Sequence, residues 1–236
     1  MQLDRKASRS RQLHIVSDVR CKPKKTQLDK FDSKTMTTNN YYFLTIKDFP
    51  EVSSAFAPNK TKLAHELIQE LESTDDLPFE FELVKLSVGQ NGVIKSSDLS
   101  SLDNVWLDFQ PNSLAWPLMS ERFKNLITDN LTGNECINWI TAKINSNGES
   151  QIYYIPRFKK MLDVLDIDQT LFVKGTDQII RPHFSFDKIK EFSVFHKPDS
   201  HDLWKITSGL YINEKLKKDI VKEKLIGPAF EKVRVS

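Results

Sequence analysis

Two runs of β-favouring residues flank an Asn-Gly pair near the middle of the chain. Residues 135–144 alternate between two faces, residues 151–155 are rich in β-branched and aromatic side chains, and Asn147-Gly148 lies between the runs. Asn-Gly readily adopts the positive φ angles of a tight turn, so this pattern is typical of a β-hairpin. The sequence therefore predicts two paired antiparallel strands with their turn at residues 145–149.

A capped amphipathic helix is predicted before this hairpin, in residues 116–129. Ser120 is a favourable N-cap, and Glu121 places a carboxylate at the positive end of the helix dipole. Apolar residues follow at the three- and four-residue spacing of one buried face: Phe123, Leu126 and Ile127. This helix is therefore expected to pack on a core.

Two further helices and several strands are predicted along the chain. One helix is residues 59–73, capped by Asn59 or Thr61, and the last follows Asn213 and is ended by Gly227. Strands are predicted at residues 41–46, 79–88, 104–109, 171–173, 178–180, 192–195, 203–206, 210–212 and 230–235. This mixture predicts an α+β fold, mainly antiparallel sheet with about three amphipathic helices packed on it.

The charge of the chain is unevenly distributed. Residues 1–30 contain nine Lys and Arg and three Asp, a net charge of +6, whereas the whole chain carries +2, so the other 206 residues carry −4. The start of the chain is polar and lacks sustained periodicity, which is typical of flexible termini. We therefore divide the chain into a basic flexible leader (1–37), an N-terminal α+β half (38–112) and a C-terminal α+β half (113–236). The alternative is one continuous domain from residue 38.

Composition also bears on partners and location. A basic arm can bind nucleic acid by releasing counterions from phosphates, but no Phe, Trp or Tyr for base stacking lies between Arg5 and Lys25. Apolar runs fall far short of the roughly 20 residues of a membrane-spanning helix, and the leader lacks the apolar core of a secretory signal. We therefore expect a cytoplasmic protein with neither a nucleic-acid nor a membrane partner.

Catalytic signatures are absent from the sequence: it contains no G-x-S-x-G, G-x-x-x-x-G-K or G-x-G-x-x-G motif. Acids and histidines do cluster within residues 163–201, where a hydrolase or transferase site is the alternative prediction. The cluster comprises Asp163, Asp166, Asp168, His183, His196 and His201, with Asp187, Asp199 and Asp202 nearby. Because it matches neither a calcium loop nor H-E-x-x-H, we predict no metal site, no cofactor and no enzyme activity.

Aromatic and acidic residues are the candidates for a protein interface. Four tryptophans are candidate anchors, although the core is the favoured position for each: Trp106, Trp116, Trp139 and Trp204. Glu80 and Glu82 share one face of the predicted strand 79–88, whose plainest interpretation is the solvent side of that strand. Aromatic anchors inside a polar rim supply much of the affinity of protein interfaces.

Several short segments from Tyr41 onward form a pattern along the chain: residues 41–43 (YYF), 117–127 (PLMSERFKNLI), 153–154 (YY), 162–166 (LDVLD), 186–189, 192–195 and 225–233 (LIGPAFEKV). In these segments the chain resembles a family of bacterial immunity proteins, the eleventh in the numbering used for polymorphic-toxin systems. The basic leader has no counterpart in the family pattern, and Gly227-Pro228 departs from it. The resemblance implies a non-catalytic protein that binds a cognate toxin domain and blocks its active site or the approach of its substrate.

Overall fold

A computed structural model describes residues 40–236 apart from residues 91 and 201, so the predicted leader lies outside the described residues. The strands are β1 (Tyr41–Ile46), β2 (Glu51–Phe56), β3 (Phe81–Gly89), β4 (Gly92–Ser96), β5 (Phe109–Gln110), β6 (Leu118–Met119), β7 (Ile137–Ser146), β8 (Glu149–Phe158), β9 (Leu171–Phe172), β10 (Ile179–Arg181), β11 (Val194–Phe195), β12 (Leu210–Asn213) and β13 (Pro228–Lys232). The helices are α1 (Ala64–Glu70), α2 (Glu121–Asn130), α3 (Phe186–Ile189) and α4 (Glu214–Lys222).

The strands form two main sheets and one small hairpin. The large sheet has the order β2-β3-β7-β8-β6-β5, with β4 also pairing with β3. The smaller sheet has the order β11-β12-β1-β13, and β9 pairs with β10. Between the named strands of the described part, the β3–β7 ladder is the only parallel one. The α+β prediction is therefore confirmed, with a single-turn fourth helix, α3, that the sequence did not predict.

The predicted hairpin is the longest ladder of the large sheet. β7 and β8 pair from Ile137 with Phe158 to Ser146 with Glu149, so β7 lies two residues later than the predicted run and β8 is longer than predicted. Asn147 and Gly148 have φ angles of 47° and 87°, the left-handed conformation that a tight Asn-Gly turn requires. The hairpin prediction is confirmed, including its turn.

One face of the large sheet is covered by α1. The sheet contributes buried side chains from five strands, including Phe81, Ile140, Ala142, Ile144, Tyr153 and Ile155 of its three central strands. Leu67, Ile68 and Leu71 of the α1 region pack against them. Helix α1 is shorter than predicted and its N-cap is Leu63, whose N–H donates to the Glu66 carboxylate. The predicted caps Asn59 and Thr61 are therefore wrong.

A second core lies between the smaller sheet, α2, α4 and one end of the β7–β8 hairpin. Its buried members include Phe123 and Ile127 of α2, Phe158 of β8 and Leu216 of α4. Ser120 caps α2 by accepting a hydrogen bond from the Phe123 N–H, as predicted. The predicted caps of the second and last helices are thus confirmed, since Asn213 accepts from the Leu216 N–H in the same way.

Several strand predictions were wrong. Residues 104–108 form a loop, in which the Val105 carbonyl accepts from Ser53 Oγ, and only Phe109 and Gln110 are extended. Residues 203–206 lie in turns. Strands β2 and β4 were missed, because Ser-rich EVSSAF and short GVIKS carry weak β signals. Gly227 does not end α4, since Glu223 is the C-cap and Lys224 takes the positive φ of 52°.

Strand pairing joins the two predicted halves of the chain. β1, which precedes residue 112, pairs with β12 and β13, which follow it. β3 likewise pairs with β7. Both sheets therefore draw strands from both halves, and we favour one continuous domain from residue 38 over a boundary at residue 112.

Asp108 connects the two sheets at a buried position. One of its carboxylate oxygens accepts from Ser120 Oγ at 2.6 Å, and the other accepts from the Ile226 N–H at 2.9 Å. Its side chain is only 9% exposed. Backbone hydrogen bonds join the same segments, because the Asp108 carbonyl accepts from the Ser120 N–H and the Ile226 carbonyl accepts from the Phe109 N–H. Asp108 thus fixes the start of α2 and the turn before β13.

We predict that Asp108→Ala lowers the free energy of unfolding by about 2–4 kcal/mol, because two donors lose their buried acceptor. Urea denaturation followed by circular dichroism measures the change. Asp103, an exposed neighbour, provides the control, and Asp103→Ala should change stability by less than about 0.5 kcal/mol. Equal effects of the two substitutions would contradict this role for Asp108.

Candidate functional site

The two faces of the large sheet are covered to different extents. Side chains two residues apart share a face, and so do residues paired across a ladder. On the face opposite α1, Ile137, Trp139 and Phe158 pack against the second core. Further along the same strands, Lys143 pairs with Ile152 and Asn145 pairs with Ser150, and these positions lie beyond that core. One face is therefore covered at one end and exposed at the other.

We call this exposed region the open face. It consists of Phe56, Glu80, Glu82, Val84, Leu86, Val88, Val93, Lys95, Lys143, Asn145, Ile152 and Tyr154. The ladder registers place these residues on one side of β2, β3, β4, β7 and β8, with Glu80 directly before β3. The open face thus crosses five strands.

The apolar side chains of the open face are unusually accessible. Val88 is 79% exposed, Val93 66% and Ile152 45%. Phe56, Val84 and Leu86 are half-buried, yet neither core cluster of the described residues includes them. Lys95 crosses the face, since its Nζ lies 3.6 Å from the centre of the Phe56 ring. The lysine stem therefore provides partial cover for an otherwise open apolar strip.

Polar groups line the side of the open face next to β7. Glu80 accepts from Lys143 Nζ at 2.9 Å and from Asn145 Nδ2 at 2.7 Å, and Asn145 Nδ2 also lies 3.4 Å from Glu82. The Asn145 hydrogen bond, followed by that of Lys143, lowers the pKa of Glu80. Glu80 is therefore a fixed carboxylate at the surface, and its orientation is set by two partners.

Ile152 separates two shallow depressions. The first, of about 350 Å³, runs from Asp76 to Glu80 and includes Lys143. The second, of about 370 Å³, contains Trp106, Arg122 and Tyr154. Both include Ile152, so they form one continuous surface with an isoleucine at its centre. Shallow depressions with apolar, aromatic and charged walls suit contact with another protein surface.

Comparison with known protein families gives a match over the C-terminal part of the chain. Residues 92–235, more than half of the chain, match the Immunity protein family (Imm11). The chain belongs to this immunity protein family. The predicted family resemblance is confirmed, although the matched segment begins at β4 and leaves Glu80 and Glu82 outside it. No curated protein matches the sequence.

The candidate anchors of this Imm11 member are dispersed. Glu80 lies in the first depression with Glu82 beside it, whereas the half-buried Trp106 lines the second depression and also packs against the core under α1. Trp116 is 5% exposed and belongs to the core under α1, while Trp139 packs against the second core. Trp204 stacks on His196 with ring centres 5.6 Å apart. The structure thus brings three of the six predicted residues to one surface.

Sequence reasoning missed the apolar part of this surface. Val88, Val93 and Ile152 carry its largest exposed apolar area, and none was a candidate. Ile152 could have been found, because the predicted hairpin register places it opposite the charged Lys143. The sequence did not indicate that Val93 lies on this surface, since β4 was not predicted.

The acidic and histidine residues behind the enzyme alternative do not share one site in the described part of the chain. Four of their six carboxylates have separate lysine partners: Asp163 pairs with Lys188, Asp187 with Lys190, Asp199 with Lys197 and Asp202 with Lys205. Asp166 instead accepts from Gln169 and Ser236. His196 is fully buried against Phe158 and Trp204, and His201 lies outside the described residues. Within residues 40–236 excluding 91 and 201, no group of three potential metal ligands was found.

A wider groove of about 1290 Å³ lies beside β9 and β10. Its walls include the exposed Met161 and Ile167 together with Phe172 and Ile179, and Asp177 and Asp199 lie among its polar lining residues. Its described lining includes no histidine. This groove is a second accessible apolar surface, which makes it a suitable comparison for the open face.

The helices of the described residues are all too short or too polar to cross a membrane. The cytoplasmic location expected from the sequence stays a prediction.

We predict that acid destabilises the fold through His196. Burial lowers the pKa of this histidine, whereas an unfolded histidine titrates near about 6.5. As pH falls below that value, the unfolded chain binds a proton before the folded one, so stability falls by up to about 1.4 kcal/mol per pH unit. This loss continues until the pH reaches the lowered pKa of the folded state.

Urea denaturation at about pH 7 and about pH 5.5, on either side of the unfolded histidine pKa, measures the effect. The His196→Asn variant should be less stable than the wild type at both pH values. Its free energy of unfolding should, however, fall less between them than that of the wild type. His65→Asn alters an exposed histidine and should keep the wild-type pH dependence. A His196→Asn variant with unchanged pH dependence would rule out His196 as the titrating group.

Proposed function

We propose that this Imm11 member neutralises a cognate toxin domain by binding it through the open face, without chemistry of its own. The observation that carries the proposal is the unequal covering of one sheet face. The second core covers Trp139 and Phe158, whereas Val93 and Ile152 on the same face are exposed. Large exposed apolar areas with polar rims mark protein interaction sites.

Apolar area gives such an interface its affinity. Fully burying a Val or Ile side chain contributes about 1.5–3 kcal/mol, before the costs of association are subtracted. A standard interface covers about 800 Å² on each partner, which requires a surface several strands wide. The open face crosses five strands and is wide enough for this role.

The surroundings of Ile152 have the composition of an interface centre. Trp106, Tyr154 and Arg122 belong to the residue types that most often dominate binding energy. Lys124 Nζ lies 3.9 Å from the centre of the Tyr154 ring and holds that ring in place from α2. Glu80 and Glu82 then supply the acidic part of the rim. We infer that Trp106, Glu80 and Glu82 contact the toxin.

The same contacts support inhibition by steric blockade. The depressions beside Ile152 are shallow, and the hydrogen-bonded Ser120 and Asp108 of the second one have structural roles, since Ser120 caps α2 and Asp108 accepts from the Ile226 N–H. A toxin surface bound over these depressions would be blocked by contact and would not be chemically modified. Neutralisation then requires only that the open face lie over the toxin active site or the approach to it.

Substitution of the central isoleucine tests the surface. In co-expression with the toxin domain encoded beside this gene, the wild type should restore growth and co-purify. Ile152→Asp should weaken the complex at least about tenfold, equivalent to about 1.4 kcal/mol, because a carboxylate would be buried at the centre of the interface. Isothermal titration calorimetry measures the dissociation constant.

Ile167→Asp is the matched control, because Ile167 is 58% exposed but lies in the groove beside β9. It should bind like the wild type. Loss of binding by Ile167→Asp with none by Ile152→Asp would transfer the interface to the groove. Failure of the wild type to co-purify or to restore growth would contradict the proposed function.

Charge reversal tests the acidic rim. The double variant Glu80→Lys/Glu82→Lys should associate more slowly with the toxin at low salt, and its association rate should depend less on salt. The reason is that the acidic rim would no longer attract a basic partner. Stopped-flow measurements over a salt series give the rates. Glu149→Lys alters an exposed glutamate at the hairpin turn and should have a smaller effect. Association that is equally slow in both variants would remove Glu80 and Glu82 from the interface.

A further inference from the structure

Strand β4 presents an unpaired edge. Five residue pairs join β4 to β3 on one side. On the other side, no backbone hydrogen bond from the described residues reaches β4. The outer edge of β2 differs, because the Ala55 N–H donates to Pro111 and the Ala55 carbonyl accepts from Ser113. The free N–H and C=O groups of β4 can therefore pair with another strand.

The sheet geometry places this edge beside the open face. β7 and β4 lie one after the other along the same side of β3, since β7 pairs at Phe81 and Glu82 and β4 pairs from Lys85 onward. β8 lies outside β7 and begins at Glu149. A strand added outside β4 would therefore continue the row of β8 and extend the open face.

Exposed apolar side chains occupy both faces of β4. Val93 is 66% exposed on the open face beside Val88, and Ile94 is 56% exposed on the opposite face. Gly89 makes room for Ile94, since a Cβ on that glycine would lie 2.7 Å from Ile94 Cδ1. Two neighbouring apolar residues of an added strand would cover Val93 on one face and Ile94 on the other, because successive side chains point to opposite faces.

Charge distinguishes between the strands that could bind here. Residues 40–112, which include β4, contain five Lys and twelve Asp or Glu, a net charge of −7. β4 itself carries one charged side chain, Lys95, which lies over the Phe56 ring, so the negative charge belongs to the surrounding region. A second copy of this chain would bring the same negative region to the edge. A cationic segment would instead be attracted, and Glu80, Glu82 and Asp98 are exposed carboxylates of this region. The charge therefore favours a basic partner.

We infer that β4 accepts an extended, cationic segment of the toxin domain as an added β-strand. This inference rests on the proposed function and specifies its partner as basic, with neighbouring apolar residues that face the two sides of the sheet. Backbone hydrogen bonds to β4 provide affinity, and contacts with Val93 and Ile94 provide selectivity. The added strand also brings the body of the toxin over the open face.

Hydrogen exchange of the full chain, alone and with the toxin domain encoded beside this gene, tests the inference. Amides of residues 92–96 that face the free edge should exchange at least about tenfold more slowly in the complex, because they gain hydrogen-bond partners. Helix α4, which lies in the other core, serves as the reference and should not change. A complex that leaves exchange in residues 92–96 unchanged overturns the strand addition while leaving the proposed function intact.

Val93→Lys adds a cation where the cationic strand would bind and should raise the dissociation constant at least about tenfold, or about 1.4 kcal/mol. Val221→Lys changes a valine that is 59% exposed on α4 and should bind normally. Circular dichroism confirms that both variants fold. Equal binding by both variants overturns the inference. Absence of any complex with the wild type overturns it together with the proposed function.

Self-association is tested in the same samples by light scattering over a concentration series. The chain alone should remain monomeric, because residues 40–112 carry a net charge of −7 in each copy and the two copies repel each other. Concentration-dependent dimers that slow exchange in residues 92–96 would make a second copy the occupant of β4 and overturn the cationic toxin strand.

Discussion

The hydrogen bonds of Asp108 determine how the two sheets meet. This single carboxylate accepts from Ser120 at the start of α2 and from Ile226 before β13. Both segments lead into the second core, so their position sets how far that core extends over the large sheet. It covers Phe158 and Trp139 but does not reach Ile152. The open face therefore exists because a buried polar contact fixes where the covering layer ends.

The same geometry explains what the sequence could predict. Asn147-Gly148 and the alternating residues beside it predicted the hairpin, because a tight turn and a period of two are local properties. Ser120 and Asn213 predicted their helices for the same reason. β2 and β4 could not be predicted in this way, since both are held by pairing with β3 rather than by their own composition.

Local alternation could not predict the site itself. It assigns Trp139, Lys143 and Asn145 to one face of β7, but the depth of burial along that face depends on a core built from distant strands. Tryptophan was accordingly a poor guide to the surface, since Trp116 and Trp139 pack into different cores. Glu80 and Glu82 were better candidates, because charged residues on a strand must find either solvent or a partner.

Charge and apolar area have separate roles in the interface that we propose. In physiological salt, exposed charges are screened beyond about 8 Å, so the acidic region around Glu80 and Glu82 acts mainly during approach and in the choice between partners. It adds little to the affinity of a complex already formed. That affinity depends on burying Ile152 and Val93 and on pairing the edge of β4. A basic partner without an extended edge would consequently meet this surface quickly and leave it quickly, whereas a basic partner with such an edge would stay bound.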